Sequence, residues 1–264
     1  MLEIRPITTV NLPDAARIFL DGKHPGDRPR AFTREMEVDC SRSYLSALTE
    51  KLRSGSAAWA AYRSDMLVGY AEVHPLELAA APLEGQNAYF IQALHVPEEM
   101  DRVEVEAALL DESRSLWGNS AGLAAVSLFR DCAPLGFRRE AHEAAACLSE
   151  ERTLWWLPGD GGGEPPKFLP VDRGLKRFGA KARVDLFTND RSPWDYFVFD
   201  LIRGVCDRMK DSVLLFETDC SNRRELRRAG VAAGVAIDGR YQPWLRPYKL
   251  PDEHMIRRTL ESAL

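Results

Sequence analysis

The chain has 264 residues, with 45% hydrophobic and 28% charged side chains, and this composition excludes a disordered, a collagen-like and a coiled-coil protein. The length allows one large domain or two ordinary ones. Thirty-five basic and forty acidic residues give a formal charge of -5, so we expect no DNA partner held by bulk positive charge.

Neither a targeting segment nor a membrane span is predicted. Residues 1–6 lack the basic and then apolar build of a signal peptide, and no apolar run reaches the ~18 residues that a span requires. We therefore expect a cytoplasmic protein with no membrane partner. The five cysteines lie far apart without a Cys-x-x-Cys pair, which predicts reduced thiols and no zinc site.

A segment rich in glycine and proline, residues 158–170, divides the chain. Glycine runs do not hold a helix and prolines do not pair within a sheet. The sequence therefore predicts a linker there, between a domain over residues 1–157 and a second over 171–264.

The first part alternates strand and helix patterns. A strand with alternating apolar residues comes first, Pro13 opens a helix, and Ser41 is predicted to cap the next helix. The predicted elements are a strand over 2–7, helices over 13–19 and 41–54, strands over 57–63, 67–74 and 88–96, a helix over 103–117, and strands over 123–129, 137–148 and 153–157.

The second part has the order β-α-β-α-β-β-α, which predicts an α/β domain with a right-handed crossover and a terminal hairpin. Asp238-Gly239 is a strong signal for a two-residue hairpin, and Pro251 is expected to open the last helix. The predicted elements are a strand over 184–187, a helix over 194–205, a strand over 212–217, a helix over 222–229, strands over 234–237 and 241–245, and a helix from 251.

The first part resembles the GNAT acetyltransferase family over about 150 residues. Residues 67–74, Leu-Val-Gly-Tyr-Ala-Glu-Val-His, are similar to its third strand, and Leu135-Gly136-Phe137 is similar to its Leu-Gly-Phe segment. The resemblance implies a mixed sheet with flanking helices, acetyl-CoA as acyl donor and a small amine as acceptor. The family's glycine-rich pyrophosphate turn falls on residues 98–104, which contain no glycine and four carboxylates.

The resemblance also implies site residues. The implied cofactor-binding residues are Leu94, His95 and Val96 for the pantetheine arm and Arg102 and Val103 for the pyrophosphate. Glu72 or His95 is the implied general base, and Cys132 stands at the position of a tyrosine acid. Each of these residues also has an interpretation without a role in catalysis or binding. Residues 98–104 would be an ordinary acidic helix turn, Glu72 would face solvent, His95 would lie on the surface and Cys132 would be a buried structural cysteine.

A metal shared by His74 and His95 is not expected. If their strands pair antiparallel end to end, the two histidines lie seven residues, or ~23 Å, apart.

The second part resembles a thioredoxin-like domain, and the two parts together are similar to bacterial GNAT proteins with a YoaP-type C-terminal domain. Residues 187–194 stand where that family has a strand, a turn and a Cys-Pro, but Ser192 replaces the cysteine. Since thioredoxin chemistry needs a thiolate at this helix start, a redox role is not expected.

Two surface features and two functions remain open. A short helix with a basic face is suited to bind an acidic partner, a phosphate-bearing ligand or RNA, although such a face is more commonly just exposed to solvent. Its residues are Arg223, Arg224, Arg227 and Arg228. Trp155-Trp156 belongs to the core, lines a pocket or joins the two domains, and core is the commoner case for aromatic residues at strand positions. The chain is read as a GNAT-type acyltransferase or, alternatively, as a retained GNAT scaffold that binds a small ligand or a protein.

Overall fold

The computed structural model describes residues 1–21, 32–97, 101–127, 132–143, 152–171, 181–242 and 251–264. The strands are β1 (Leu2–Pro6), β2 (Ala57–Arg63), β3 (Met66–Pro75), β4 (Leu83–Glu84), β5 (Ala88–His95), β6 (Gly122–Ser127), β7 (Arg138–Glu143), β8 (Arg152–Pro158), β9 (Lys167–Phe168), β10 (Ala182–Thr188), β11 (Val213–Asp219), β12 (Gly234–Ile237) and β13 (Arg240–Gln242). The helices are α1 (Leu12–Asp21), α2 (Arg34–Arg53), α3 (Arg102–Trp117), α4 (Pro193–Arg208), α5 (Arg223–Ala229) and α6 (Glu253–Glu261). None of the helices in these ranges combines the length and apolar composition needed to cross a membrane.

The first half of the chain forms a seven-stranded sheet in the order β1-β2-β3-β5-β6-β8-β7. Neighbouring strands are antiparallel except for β5 and β6, which run parallel. A parallel pair needs a crossover connection, and α3 supplies it. The predicted mixed α/β class and the predicted order of these elements are confirmed.

Helices cover both faces of this sheet. Tyr44 of α2 is buried against the face that carries Tyr70, together with residues of α1. Ala71, the next residue along β3, belongs to the cluster that contains Val105 and Leu109 of α3. Because successive side chains of a strand point to opposite faces, the two layers can be read from alternate residues. We refer to them as the α1–α2 side and the α3 side.

Helix α2 starts earlier than the sequence predicted. The Thr33 hydroxyl accepts a hydrogen bond from the Met36 amide at 3.3 Å, so the helix begins at Arg34 and Ser41 lies inside it, not at its cap. The prediction of a cap at Ser41 was wrong because the first turns of α2 are mostly polar and show no apolar stripe.

Helix α6 starts slightly later than predicted. The Asp252 carboxylate accepts a hydrogen bond from the Met255 amide at 2.7 Å, so Asp252 is the cap and Pro251 precedes the helix instead of opening it. Parts of three predicted strands, residues 128–129, 144–148 and 243–245, lie outside the described residues.

The second half forms a four-stranded sheet in the order β11-β10-β12-β13. β10 and β11 are parallel and joined through α4, while β12 is antiparallel to both β10 and β13. Asp238 and Gly239 both have positive φ, 47° and 79°, as a tight two-residue hairpin requires. The predicted element order and hairpin of this half are confirmed.

The glycine-rich segment packs tightly along the first half. The amides of Asp160 and Gly161 donate to the carbonyls of Gly118 and Ser120, at 2.7 and 3.0 Å. Further along, β9 pairs with β4. A Cβ added at Gly161 would lie less than 3.0 Å from carbonyl oxygens of residues 119 and 120. Glycine is needed here because two segments of main chain lie too close together for a side chain, not because the segment must be flexible.

The two halves share a hydrophobic core. Leu20 and Cys40 of the first half are buried in one cluster with Phe197 and other residues of α4. The Trp194 indole donates to the Phe19 carbonyl at 2.9 Å. The buried Arg152 guanidinium donates to the Gly230 carbonyl at 3.2 Å. Apolar burial and hydrogen bonds therefore both hold the second half against the first.

We expect Gly161→Ala to lower the free energy of unfolding by about 2–3 kcal/mol, because the methyl group meets main-chain oxygens that are fixed by the turn after α3. Gly162→Ala is the matched control. Gly162 has a φ of 67° but open space around its Cβ position, so only the backbone penalty of about 1 kcal/mol applies. Urea unfolding measures both, and equal losses would contradict the close-approach explanation.

Candidate functional site

The central sheet opens between its two parallel strands. Among the described residues, β5 and β6 pair only through Ala88 with Gly122, Tyr89 with Leu123 and Phe90 with Ala124. β5 nevertheless stays paired with β3 as far as His95, and β6 stays paired with β8 as far as Ser127. Beyond the point where β5 and β6 stop pairing with each other, β5 is therefore held by β3 and β6 is held by β8. We call the gap between residues 91–95 and 125–127 the β5–β6 opening.

The end of β5 presents different side chains to the two sides of the sheet. Leu94 and the buried Val96 belong to the apolar cluster on the α3 side. His95 is half-buried, pairs with Tyr70 across the ladder and has its ring 5.8 Å from that of Phe19 on the α1–α2 side. The main chain of the residues predicted to hold pantetheine therefore borders the β5–β6 opening.

The first turn of α3 is already occupied by the chain's own carboxylates. The Asp101 carboxylate accepts a hydrogen bond from the Glu104 amide at 3.4 Å. Arg102 donates from Nε to the buried Glu106 carboxylate at 3.0 Å, and Glu104 pairs with Arg63 at 2.7 Å. Residues 98–100 lie outside the described residues.

The two residues predicted to meet a pyrophosphate are thus placed differently. Val103 is 53% exposed, whereas the Arg102 side chain, 41% exposed, lies against Glu106. The Arg102 Nε–H is therefore already engaged by the Glu106 carboxylate.

Cys132 lies in the apolar cluster on the α3 side. It is 6% exposed and precedes the 3-10 turn, whose Leu135 amide donates to the Cys132 carbonyl at 3.1 Å. Gly136 follows with a φ of 85°, a conformation that glycine adopts without strain. Val96 and Phe137 belong to the same cluster. The surroundings of Cys132 are those of a packed structural cysteine.

Glu72 lies in a buried polar network instead of facing solvent. Its Oε2 accepts hydrogen bonds from the hydroxyls of Tyr44 and Tyr70, at 2.8 and 2.9 Å. Its Oε1 lies 2.5 Å from His74 Nε2, and His74 Nδ1 lies 2.5 Å from Ser56 Oγ. All five side chains are buried, with His74 and both tyrosines at 0% exposure. The solvent-facing alternative for Glu72 is wrong.

The charged form of the Glu72 carboxyl is stabilised by its partners. Burial alone would raise the pKa of this carboxyl, but the His74 charge and hydrogen bonds together with Lys51 and Tyr44 bring the pKa below its ordinary value. Burial and the negative Glu72 in turn raise the pKa of Tyr44 and Tyr70 well above the usual range. The tyrosines are therefore hydrogen-bond donors to a carboxylate.

Sequence reasoning found Glu72 but missed its partners. Tyr70, Glu72 and His74 alternate along β3, so they share the α1–α2 side. That period of two was a usable signal. Tyr44 and Ser56 come from α2 and from the residue before β2, and no local pattern joins them to β3.

The two histidines do not share a site. Their strands pair antiparallel as predicted, but His95 is opposite Tyr70 and His74 is opposite Phe90. The separation along β3 is four residues, or ~13 Å, so the predicted seven-residue distance was too long. The described part of the chain contains no cluster of three or more His, Cys, Asp or Glu side chains suited to a metal ion.

The start of α4 faces the first half of the chain. Ser192, which replaces the cysteine of the resemblance, caps α4 by accepting a hydrogen bond from the Asp195 amide at 3.3 Å. Asp190 forms a largely buried salt bridge with Lys51 at 2.6 Å. Burial raises the pKa of Cys206 to about 11 and of Cys220 to about 12, so both thiols are protonated at neutral pH. Each of the four cysteines within the described ranges is a free thiol.

Three of the four arginines on α5 pair within the chain. Arg223 donates to the carbonyls of Ala81, at 3.0 Å, and Leu83. Arg227 pairs with Glu84 at 3.3 Å, and Arg228 pairs with Glu225 at 2.6 Å. Arg224 is exposed. Much of the predicted basic face thus attaches α5 to residues 81–84, and an acidic partner stays a prediction.

We expect Glu72→Gln to lower the free energy of unfolding by about 2–3 kcal/mol at pH 7, because it removes a buried charge that faces His74. The folded-state pKa of Glu72 lies below its ordinary value of 4.5, so its stabilisation is full above that pH and is lost as the pH falls below it.

Urea unfolding at several pH values checks this prediction. The difference between wild type and Glu72→Gln should shrink as the pH falls below 4.5. The control is Glu50→Gln, an exposed change on α2 that we expect to cost less than about 0.5 kcal/mol. A pH-independent difference would show that Glu72 is not charged in the folded protein.

No family model and no curated protein matches the chain. Solved structures with a similar course of the chain are acetyltransferases. A ribosomal-protein-alanine N-acetyltransferase from Brucella melitensis is 20% identical, with a TM-score of 0.42 and coverage of 59% of this chain and 99% of that one. A GNAT-family acetyltransferase from Bacillus cereus is 10% identical (TM-score 0.42, coverage 60% and 98%). The PaiA N-acetyltransferase from Thermoplasma acidophilum, solved with coenzyme A, is 12% identical (TM-score 0.41, coverage 60% and 99%). Likenesses of this degree establish neither the family nor the activity of the chain.

Proposed function

We propose that residues 1–157 bind acetyl-CoA in the β5–β6 opening and transfer its acetyl group to a small amine. The observation that carries this proposal is the early end of the ladder between β5 and β6, within a sheet whose other strands stay paired around it. The resemblance of residues 67–74 and of Leu135-Gly136-Phe137 to GNAT acetyltransferases points to the same chemistry.

The opening fits the pantetheine arm. The main chain of each bordering strand has hydrogen-bonding groups that its outer neighbour does not use, since a strand in a sheet offers groups to both sides. Pantetheine carries amides that can pair with such groups as a short strand would. The apolar residues Leu94 and Val96 supply a wall for its methylene groups.

The first turn of α3 fits the diphosphate only after a rearrangement. A helix start favours anions through its free amides and its dipole, and α3 begins just beyond the end of β5. Asp101 already uses one of those amides, and Glu106 holds Arg102. When Arg102 turns from Glu106 toward a diphosphate, one ion pair replaces another.

His95 is the group we assign as general base. Acetyl-CoA, when bound, supplies a thioester carbonyl that an amine attacks and a thiol that leaves. The half-buried imidazole of His95 stands at the border of the opening, where it can take the proton that the attacking nitrogen loses. Glu72 is enclosed by Tyr44, Tyr70 and His74, so we assign it to the fold, and the buried Cys132 to packing.

A scaffold without acetyl-CoA chemistry is the second candidate. The specific observation in its favour is the acidic first turn of α3, where Asp101 accepts a hydrogen bond from the Glu104 amide, Glu104 pairs with Arg63 and Glu106 pairs with Arg102. On this interpretation the turn stabilises its own helix and needs no anion.

Titration calorimetry with acetyl-CoA and with CoA at low salt separates the two candidates. Binding in the micromolar range supports the acyltransferase. Absence of heat with millimolar ligand contradicts it and favours the scaffold, whose ligand would then be sought among partner proteins and other small molecules.

We expect His95→Gln to bind acetyl-CoA within about twofold of wild type but to transfer acetyl groups about a hundredfold more slowly, because only proton removal is lost. Release of the CoA thiol in the presence of a panel of small primary amines measures transfer. His142→Gln, an exposed change on β7, serves as the control and should leave the rate unchanged. An unchanged rate in His95→Gln would exclude His95 as the base.

We also expect Glu106→Gln to tighten acetyl-CoA binding by about threefold to tenfold, because Arg102 then loses its competing ionic partner. Calorimetry measures the dissociation constant. Glu112→Gln, an exposed change on the same helix, is the control for a general change in charge. Equal effects of the two variants would show that Arg102 does not meet the diphosphate.

A further inference from the structure

Trp155 carries a buried hydrogen-bond donor that the fold does not use. Trp155 lies on β8 and is 8% exposed, and its indole nitrogen has no acceptor within hydrogen-bonding distance among the described residues. Two other buried tryptophans behave differently. Trp117 donates to Ser113 Oγ at 3.0 Å, and Trp194 donates to the Phe19 carbonyl at 2.9 Å.

An unsatisfied buried donor is rare and unfavourable. The great majority of buried polar groups in folded proteins have a partner, and the indole N–H gives up its bond to water when it is buried. A phenylalanine would fill an apolar site on β8 without this cost. The tryptophan is explained if an acceptor arrives with a ligand.

The position of Trp155 brings this donor close to the β5–β6 opening. Trp155 is paired across the ladder with Ala125 of β6, one of the residues that borders the opening. Facing residues in an antiparallel pair lie on the same side of the sheet, about 5 Å apart, and large aromatic side chains reach beyond that distance. The side chain opposite Trp155 is only the methyl group of Ala125, and both residues belong to the apolar cluster on the α3 side.

The surrounding cluster places Trp155 on the side where the thioester arm would lie. Trp155 belongs to the apolar cluster on the α3 side that also contains Val96, Cys132 and, at its margin, Leu94 and Ala125. Leu94 lies on β5 and Ala125 on β6, so the cluster reaches both strands that border the opening. A polar atom inside an otherwise apolar cleft is the arrangement that orients a ligand.

We propose that Trp155 is a ligand-binding residue of the β5–β6 opening, where its indole N–H donates to a carbonyl oxygen of acyl-CoA. The acceptor is the thioester carbonyl or an amide carbonyl of the pantetheine arm, which have the same hydrogen-bonding chemistry. This inference rests on the proposed acetyl-CoA binding and assigns a role to one of the two tryptophans that the sequence left open between core and pocket.

Trp155→Phe and Trp117→Phe form a matched pair for the test. Both substitutions lose packing volume, but Trp155→Phe removes a donor without a partner inside the protein, so its melting temperature should fall less than that of Trp117→Phe. Trp117→Phe removes a satisfied hydrogen bond, so its melting temperature should fall. Calorimetry should show acetyl-CoA binding about fivefold to tenfold weaker in Trp155→Phe and unchanged in Trp117→Phe.

The comparison of acetyl-CoA with CoA identifies the acceptor. A loss of affinity for acetyl-CoA alone assigns the hydrogen bond to the thioester carbonyl, and an equal loss for both ligands assigns it to a pantetheine amide. If the wild-type protein binds acetyl-CoA and Trp155→Phe binds it equally well, the inference is overturned and the proposed function stands. A melting temperature that falls as far in Trp155→Phe as in Trp117→Phe also overturns the inference, because the Trp155 N–H then has a partner within the fold. A wild-type protein that binds neither ligand overturns both proposals.

Discussion

The early end of the ladder between β5 and β6 is the constraint on which the candidate site depends. Two strands that start as neighbours are each held by a different outer partner, β3 and β8, so the sheet cannot close between them. The crossover helix α3 leaves β5 and returns the chain to β6, which sets the start of a helix beyond one end of the gap. The position of a cleft, its main-chain groups and a helix start all follow from this pairing.

The network around Glu72 connects that site to the rest of the molecule. β3 supplies Glu72 on the side of the sheet that α2 covers, and α2 supplies Tyr44 to the network and Lys51 to the ion pair with Asp190. One helix therefore contacts both the buried carboxylate and the start of α4. A buried charge that is fully hydrogen-bonded favours one arrangement of its neighbours, because any shift leaves a group without a partner. We infer that the relative positions of β3, α2 and α4 are fixed together.

Much of the fold was predictable from the sequence, whereas the site was predictable only in part. Apolar periodicity and turn residues located most strands and helices, and Asp238-Gly239 correctly predicted a hairpin. The start of α2 was missed because its first turns are polar. The ladder register cannot be derived from either strand alone, and for this reason the distance between His74 and His95 was overestimated. Long-range contacts, such as Tyr44 with Glu72, leave no local pattern, and an indole without an acceptor is recognisable only in three dimensions.

The glycine-rich segment between the halves has a consequence for how such a chain tolerates change. Its main chain lies against the turn after α3 and its end pairs with β4, so residues 158–170 are part of the packed structure. Composition alone would mark this segment as the place to insert a tag, to cut with a protease or to exchange the second half for another. The hydrogen bonds and the absence of space for a Cβ at Gly161 indicate the opposite, since a longer or bulkier junction would separate surfaces that fold as one.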